Sequence, residues 1–186
     1  NRDEKEAIKF LDNITQYLKI KKGNILDIGC GKGRHAKYFN ELGFNVVGID
    51  LSLNSISIAQ QNETQNLKFH QFDMRKVFKE NSFNVVTNLF TSFGYFDNTQ
   101  DEQTTINAMS KNLKRDGLLI IDFMNVKKII KNLVSAESKE INKVKFDITR
   151  EFKDNYILKN INISDYNVSL EFQEKVHALT LFDFSN

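Results

Sequence analysis

One stretch of sequence constrains the fold of this chain more than any other. Asn24 to Ile28 is a short apolar run typical of a buried strand, and glycines follow at alternate positions from Gly29 to Gly33. His35 to Leu42 then has the spacing of a helix that ends before Gly43. Glycine permits a sharp turn and close approach of a ligand, and a helix start presents unpaired N–H groups. This order predicts a nucleotide-like ligand at the carboxyl edge of a parallel sheet.

The same alternation of strands and helices continues along the chain. Such an alternation predicts an α/β fold with a parallel sheet. The further predicted strands are Phe44–Ile49, Leu67–Phe72, Phe83–Leu89 and Leu118–Met124, and the further predicted helices span residues 3–20, 52–61 and 100–113.

After about residue 140 the pattern changes to alternating apolar and polar residues. Segments 144–148, 155–163 and 167–178 predict an antiparallel meander of three strands. We therefore expect a ligand-binding domain at 1–140, an antiparallel β appendage at 141–178, and a short terminal segment at 179–186. The appendage is interpreted either as a lid over the substrate or as an oligomerisation surface that would make a homodimer.

Composition excludes several classes of protein. The net charge of +2 lacks the basic excess expected of a duplex-binding protein, so no nucleic-acid partner is expected. A single cysteine excludes an internal disulfide, and no apolar run approaches the roughly 20 residues that span a bilayer. The scattered histidines predict no metal site. We expect a cytoplasmic protein without a membrane partner.

An acidic residue at the end of the second strand narrows the choice of ligand. Asp50 lies about 20 residues beyond the glycines, where a carboxylate can accept hydrogen bonds from both ribose hydroxyls. A nicotinamide dehydrogenase would also place an acid there. The dinucleotide fingerprint, however, requires a third glycine at the position of Arg34. An NAD-dependent oxidoreductase is therefore the less favoured alternative.

Five segments of the chain resemble the motifs of class I S-adenosylmethionine-dependent methyltransferases, in the family's order. They are Ile25–Gly33, Val46–Ser52, Phe69–Met74, Phe83–Phe90 and Leu113–Asp122. The resemblance implies a three-layer Rossmann-like sandwich, with S-adenosylmethionine as cofactor. The appendage is similar to an insertion after the fifth strand of small-molecule members. Family members continue into a further helix and two strands. Segment 179–186 would lead toward that helix.

The resemblance also implies which residues hold the cofactor. The group that would contact the methionine part is Asp27, Gly29, Cys30, Gly31 and Gly33. The ribose and adenine would be held by Asp50, Leu51, Asp73 and Met74, with Asp73 accepting a hydrogen bond from the adenine amino group. Near the sulfonium would lie Asn88 and Leu89.

The loop after the fourth strand is the predicted acceptor side. Phe93 and Tyr95 are candidate substrate contacts, although their rings could instead cover a core. The loop lacks the Asn/Asp-Pro-Pro-aromatic signature of base-methylating enzymes and is similar to that of small-molecule members, including sugar N-methyltransferases. The predicted acceptor is a small molecule with a nucleophilic N, O or C. No general base is assigned; Tyr95 and His35 are candidates by position alone.

Two alternatives remain open from the sequence. The chain could be a non-catalytic module that binds S-adenosylmethionine. Cys30 could be a nucleophile, as in enzymes that methylate cytosine carbon, but its position inside the glycine loop favours a small packed residue.

Overall fold

The structure, a computed structural model, describes residues 4–19, 22–165 and 168–185. Helices and strands alternate through the first two thirds, and strands dominate the rest. In chain order the elements are α1 (Glu4–Leu18), β1 (Asn24–Ile28), α2 (Arg34–Glu41), β2 (Asn45–Asp50), α3 (Leu53–Ala59), a 3-10 turn (Gln60–Asn62), β3 (Leu67–Gln71), β4 (Phe83–Asn88), α4 (Thr99–Asn112), β5 (Leu113–Ile121), α5 (Val126–Lys131), β6 (Ala136–Ile141), β7 (Val144–Lys153), β8 (Tyr156–Ser164) and β9 (Ser169–His177).

Strands β1 to β5 form one parallel sheet in the order β3-β2-β1-β4-β5. Helices α2 and α3 contact β1, β2 and β3, whereas α4 contacts β4 and β5. Because crossover connections are right-handed, the reversal of order between β1 and β4 places α4 on the opposite face from α2 and α3. The predicted α/β fold with a parallel sheet is confirmed.

Close packing around Phe69 joins the sheet to its helices. Phe69 on β3 is 1% exposed and belongs to a core that includes Phe39 of α2 and Ile56 of α3. A Cβ built on Gly48 of β2 would lie 2.6 Å from the Phe69 ring, so only glycine fits there. The backbone of β2 therefore approaches this ring more closely than any side chain would allow.

A second sheet, antiparallel throughout, follows in the order β6-β7-β8-β9. Two of its turns have the positive φ values at both central residues that mark type I′ hairpins: Asn142–Lys143 (52° and 67°) and Asp154–Asn155 (49° and 65°). The chain accordingly divides into two compact units. The first unit contains the residues up to Ser92 together with Asn98–Phe123. The second contains Phe93–Asp97 together with the residues from Met124 onwards.

The structure differs from the sequence-based expectation in three places. The antiparallel sheet has four strands and begins at Ala136, so the predicted three-stranded meander from residue 141 lacked its first strand. Strand β5 runs from Leu113 to Ile121 instead of from Leu118 to Met124, and its register against β4 shifts between Leu113 and Leu118, with φ of 62° at Asp116. Helix α5 was not predicted. Residues 3 and 20 at the ends of the first predicted helix, and residue 167 at the start of the last predicted strand, lie outside the described residues.

Within the described ranges, every helix is too short or too polar to cross a membrane. Whether the antiparallel sheet acts as a lid or as an association surface stays a prediction.

Candidate active site

The reversal of strand order fixes where a ligand can bind. The connections after β1 and β4 leave the sheet in opposite directions, which opens a crevice at their carboxyl ends. The glycine loop follows β1 at this point, and residues from Leu89 follow β4. Phe72 N–H, just beyond β3, also donates to the Asp50 carbonyl at 2.9 Å, which holds the third strand end beside the second.

Backbone hydrogen bonds hold the glycine loop against β2. Gly29 and Cys30 both donate to the carbonyl of Ile49, at 2.8 and 3.0 Å. Gly29, Gly31 and Gly33 all have positive φ values, of 70°, 54° and 82°. This conformation is unfavourable for residues with a Cβ, so the alternating glycines are required by the turn itself.

The three glycines differ in what surrounds them. A Cβ on Gly29 would lie 2.7 Å from Ser92 Cβ, and one on Gly33 would lie 2.6 Å from Phe69 Cζ. A Cβ on Gly31 would have no atom within 4 Å. Gly29 and Gly33 thus serve close packing within the protein, whereas Gly31 leaves the backbone open to a ligand.

Asp50 ties the end of β2 to this open position. Its Oδ2 accepts from Gly31 N–H and its Oδ1 from Ser52 N–H, both at 2.8 Å. Each carboxylate oxygen accepts more than one hydrogen bond, so both retain capacity toward hydroxyl groups. The neighbouring Leu51 is 64% exposed and offers an apolar side chain at the same strand end.

Asp27 is a buried acid near the carboxyl end of β1. It is 1% exposed, its Oδ1 accepts from the Thr87 hydroxyl at 2.8 Å, and its Oδ2 has no hydrogen-bond partner among the described residues. Burial raises the pKa of Asp27 to about 7, helped by the charge of Asp50, while the Thr87 hydroxyl and, more weakly, the backbone of Ala36 lower it. An unpaired buried carboxyl oxygen is costly without a partner, and an ammonium group would supply one.

The raised pKa of Asp27 makes the stability of the protein depend on pH. From pH 4 to pH 7 the folded state keeps a proton on Asp27 that the unfolded state, with an ordinary pKa of 3.8, has lost. Stability therefore falls as pH rises through this window, by about 4 kcal/mol in total from this group. We expect Asp27→Asn, which keeps the Thr87 bond, to be more stable than wild type at pH 8 in urea unfolding. The advantage should shrink toward zero at pH 4; an equal advantage at both pH values would show that Asp27 is ionised throughout.

Asp73 follows β3 and is held by a neighbouring arginine. The guanidinium of Arg75 contacts both carboxylate oxygens of Asp73 at 2.7–3.1 Å and also reaches Asp101 at 3.0 Å. Hydrogen bonding from Arg75 lowers the pKa of Asp73. The carboxylate is thus ionised and fixed, with half-buried Met74 beside it. A role toward adenine stays a prediction for both residues.

Asn88 and Leu89 end β4 in different environments. Asn88 is fully buried; its Nδ2 donates to the Ile28 carbonyl at 2.9 Å, and its Oδ1 has no hydrogen-bond partner among the described residues. Leu89 is 2% exposed and belongs to the hydrophobic core. The geometry suits a polar role for Asn88, whereas the Leu89 side chain serves packing.

Cys30 lies inside the glycine loop as a packed residue. The side chain is buried, and its Sγ donates to the Gly31 carbonyl at 3.6 Å. Burial, followed by the charges of Asp27 and Asp50, raises the pKa of the Cys30 thiol above its usual range. A neutral buried thiol is a poor nucleophile, so this environment favours the packing interpretation.

Residues 19–174 match the family model of a methyltransferase domain. The chain belongs to the class I S-adenosylmethionine-dependent methyltransferases. Among curated relatives is YqeM of Bacillus subtilis (strain 168), which is named as a methyltransferase without a stated substrate. It is 36% identical over 117 residues, which cover 60% of this chain and 47% of YqeM. The chain spans less than half the length of the first curated relatives it matches.

Solved methyltransferases share this fold. An S-adenosylmethionine-dependent methyltransferase from Clostridium acetobutylicum ATCC 824 has a TM-score of 0.81 at 20% identity, covering all of this chain and 78% of that one. CalS10, an amino pentose methyltransferase from Micromonospora echinaspora solved with S-adenosylmethionine bound, has a TM-score of 0.74 at 21% identity, covering all of this chain and 81% of that one. The predicted Rossmann-like methyltransferase fold is confirmed.

The surroundings of His35 make it a poor candidate for a general base. Its ring stacks on Phe90 with centroids 4.5 Å apart, and its Nε2 lies 3.3 Å from Arg34 Nη2. Burial, with the adjacent Arg34 charge, lowers the pKa of His35 to about 4. The imidazole is therefore neutral at pH 7 and a weak proton acceptor. Its placement favours a packing role at the start of α2.

Phe93 and Tyr95 lie in the second compact unit. Phe93 is 2% exposed and packs against Phe96 and Phe184, each at 5.9 Å between ring centroids. This burial favours the alternative in which the aromatic residues of the loop cover a core. Tyr95 is 53% exposed, and partial burial followed by the charge of Glu174 raises its pKa. Contact with an acceptor stays a prediction for both.

The sequence interpretation missed three polar residues near the crevice. The Thr87 hydroxyl donates to Asp27, and Ser92 Oγ donates to the Leu89 carbonyl at 2.8 Å and lies 3.3 Å from the Gly29 carbonyl. Asp122 follows β5 and bonds the loop after β4. Asp122 could have been found from its place at the end of a parallel strand, the rule that identified Asp50. Thr87 and Ser92 carried no such signal.

Proposed function

We propose that this methyltransferase binds S-adenosylmethionine in the β1/β4 crevice and transfers its methyl group to a nucleophilic atom of a small molecule. The observation that carries the proposal is the open space at Gly31 beside the Asp50 carboxylate. A ligand can approach the backbone there and meet an acid within one site.

The residues present fit the chemical groups of this cofactor. The unpaired Oδ2 of Asp27 suits the ammonium of a methionine moiety. The two oxygens of Asp50 suit the hydroxyls of a ribose, and exposed Leu51 suits the face of an adenine. When bound, S-adenosylmethionine supplies an activated methyl group on a sulfur that leaves as a neutral thioether.

The contribution of the chain is mainly positional. Backbone bonds from Gly29 and Cys30 to Ile49 fix the glycine loop, and Asp50 fixes Gly31. Holding two reacting groups in line can contribute on the order of 7–11 kcal/mol to lowering a barrier. Because His35 is buried and neutral, we assign no proton-transfer step to it.

Charge and relatives together favour a small acceptor. The near-neutral chain lacks the basic surface expected for nucleic acid. The amino pentose named for CalS10 provides one example of a small acceptor in this fold. We propose an N, O or C nucleophile on such a molecule.

The test is a labelled transfer reaction. The protein is incubated with methyl-tritiated S-adenosylmethionine and a cell extract separated into small-molecule, protein and nucleic-acid fractions. We expect label in a small-molecule product, with formation of S-adenosylhomocysteine that Asp50→Ala abolishes. Label confined to protein or nucleic acid would contradict the proposed acceptor class. Binding of the cofactor with no transfer to any fraction would favour a non-catalytic module.

A further inference from the structure

The loop after β4 contains two consecutive residues in a left-handed conformation. Phe90 has φ of 58° and Thr91 has φ of 57°. This region is unfavourable for any residue with a Cβ, and more so for bulky and β-branched residues. Neither residue is a glycine, so the surrounding structure must hold the segment in place.

Asp122 supplies the bonds that hold it. Its carboxylate Oδ2 accepts from Phe90 N–H at 3.1 Å, and its carbonyl accepts from Thr91 N–H at 3.0 Å. Its own N–H donates to the Asn88 carbonyl at 2.9 Å. One residue at the end of β5 therefore bonds three residues at and beyond the end of β4.

The held conformation closes the β4 loop onto the glycine loop and the helix that follows it. The Phe90 ring stacks on His35 at the start of α2 and meets the edge of Phe10 at 5.7 Å. Two residues later, Ser92 Oγ lies 3.3 Å from the Gly29 carbonyl. The path of residues 88–92 thus fixes both the buried amide of Asn88 and the position of the Phe90 ring against His35.

We propose that Asp122 is a positioning residue of the methyl-transfer site: it keeps Phe90 and Thr91 left-handed, so that the β4 loop stays closed on the glycine loop and the cofactor site is preformed. The inference rests on the proposed function for its relevance to the cofactor. The carboxylate is the part that a variant can remove, because the two backbone bonds do not depend on the side chain.

Asp122→Ala and Asp122→Asn form a matched pair. Asparagine retains an oxygen that can accept from Phe90 N–H, whereas alanine does not. By isothermal titration with S-adenosylhomocysteine, we expect Asp122→Ala to weaken binding about tenfold and Asp122→Asn to stay within about threefold of wild type.

The imidazole of His35 gives a second readout that needs no ligand. In NMR titrations assigned with a His35→Asn variant, we expect the wild-type pKa near 4. In Asp122→Ala, Phe90 should move away from His35, which would expose the His35 imidazole and raise its pKa toward the ordinary value of 6.5. Loss of a carboxylate by itself would lower a histidine pKa, so a rise reports the opening of the loop.

A second substitution tests the conformational argument directly. Thr91→Gly removes the Cβ that makes a positive φ unfavourable, so in the Asp122→Ala background it should restore both the His35 titration and most of the affinity. Thr91→Ala in that background keeps a Cβ and should restore neither.

The outcomes separate this inference from the proposed function. If Asp122→Ala leaves both the His35 titration and the affinity unchanged, Asp122 does not position the loop. A changed His35 titration with unchanged affinity for S-adenosylhomocysteine would show that Asp122 holds the loop without affecting the cofactor site, and would overturn the inference. Absence of binding by the wild-type protein would overturn the proposed function, while the ligand-free titration would still decide whether Asp122 holds the loop.

Discussion

Replacing Gly31 by valine is expected to abolish cofactor binding while the protein remains folded. A Cβ at Gly31 meets no protein atom within 4 Å, so the added side chain would occupy the space left for a ligand. The folded protein would incur mainly the cost of a left-handed φ, about 1–2 kcal/mol. For a chain of this size, that corresponds to a fall in Tm of about 2–8 °C. Isothermal titration with S-adenosylhomocysteine and a thermal melt measure the two effects.

Gly43 offers a matched control for this experiment. It also has a positive φ, of 93°, and no atom within 4 Å of a built Cβ, but it lies before the amino end of β2, away from the crevice. Gly43→Val should lower Tm by a similar amount and leave the affinity unchanged. Gly33→Val should instead destabilise the protein strongly, because its Cβ would overlap Phe69. If Gly31→Val binds the ligand as tightly as wild type, the ligand does not approach the glycine loop.

Replacing Asp50 by alanine is expected to weaken cofactor binding about a hundredfold or more. Hydrogen bonds to a charged group contribute about 1.5–3 kcal/mol each, and a carboxylate placed to accept two ribose hydroxyls would lose both. Asp50 also accepts from Gly31 N–H, so the variant loosens the open position of the loop as well. The same titration, with circular dichroism of the ligand-free protein, measures the effect.

Two variants separate these contributions. Asp50→Asn retains one oxygen acceptor and should bind with intermediate affinity. Glu63 precedes β3, and its carboxylate accepts from the backbone N–H of Phe69 within that strand at 2.8 Å, so Glu63→Ala removes a comparable bond at a different place. It should alter stability but not affinity. An Asp50→Ala protein whose affinity stays within twofold of wild type would show that Asp50 does not hold the ribose.

The parallel half of the fold was predictable because its signals are local. Strands β1, β2 and β4 contain short apolar runs, β3 has apolar Leu67 and Phe69 at alternate positions, and each of the four strands lies within a residue of its expected position. The helix predicted from residue 52 is present, and Ser52 caps it, since its side chain accepts from Ser55 N–H at 3.2 Å. Asp27 and Asp50 stand out because they lie in or at the end of such strands.

Other features depend on tertiary contacts and left no local signal. Strand β6 has the sequence Ala-Glu-Ser-Lys-Glu-Ile and is too polar to predict alone; pairing with β7 across the Asn142–Lys143 turn makes it a strand. The left-handed pair at Phe90 and Thr91 contains no glycine, and both of its N–H groups donate to Asp122, a residue of another strand end. The burial of Phe93 likewise depends on Phe184, about ninety residues away in the sequence.

The central claim is that the β1/β4 crevice binds S-adenosylmethionine, and calorimetry tests it most directly. The wild-type protein is titrated separately with S-adenosylmethionine, S-adenosylhomocysteine and NAD. We predict that each of the first two ligands saturates a single site and that NAD gives no heat of binding. Gly31→Val should bind neither of the first two ligands. Binding of NAD alone would contradict the account, because the alternating glycines and Asp50 would then serve a dinucleotide.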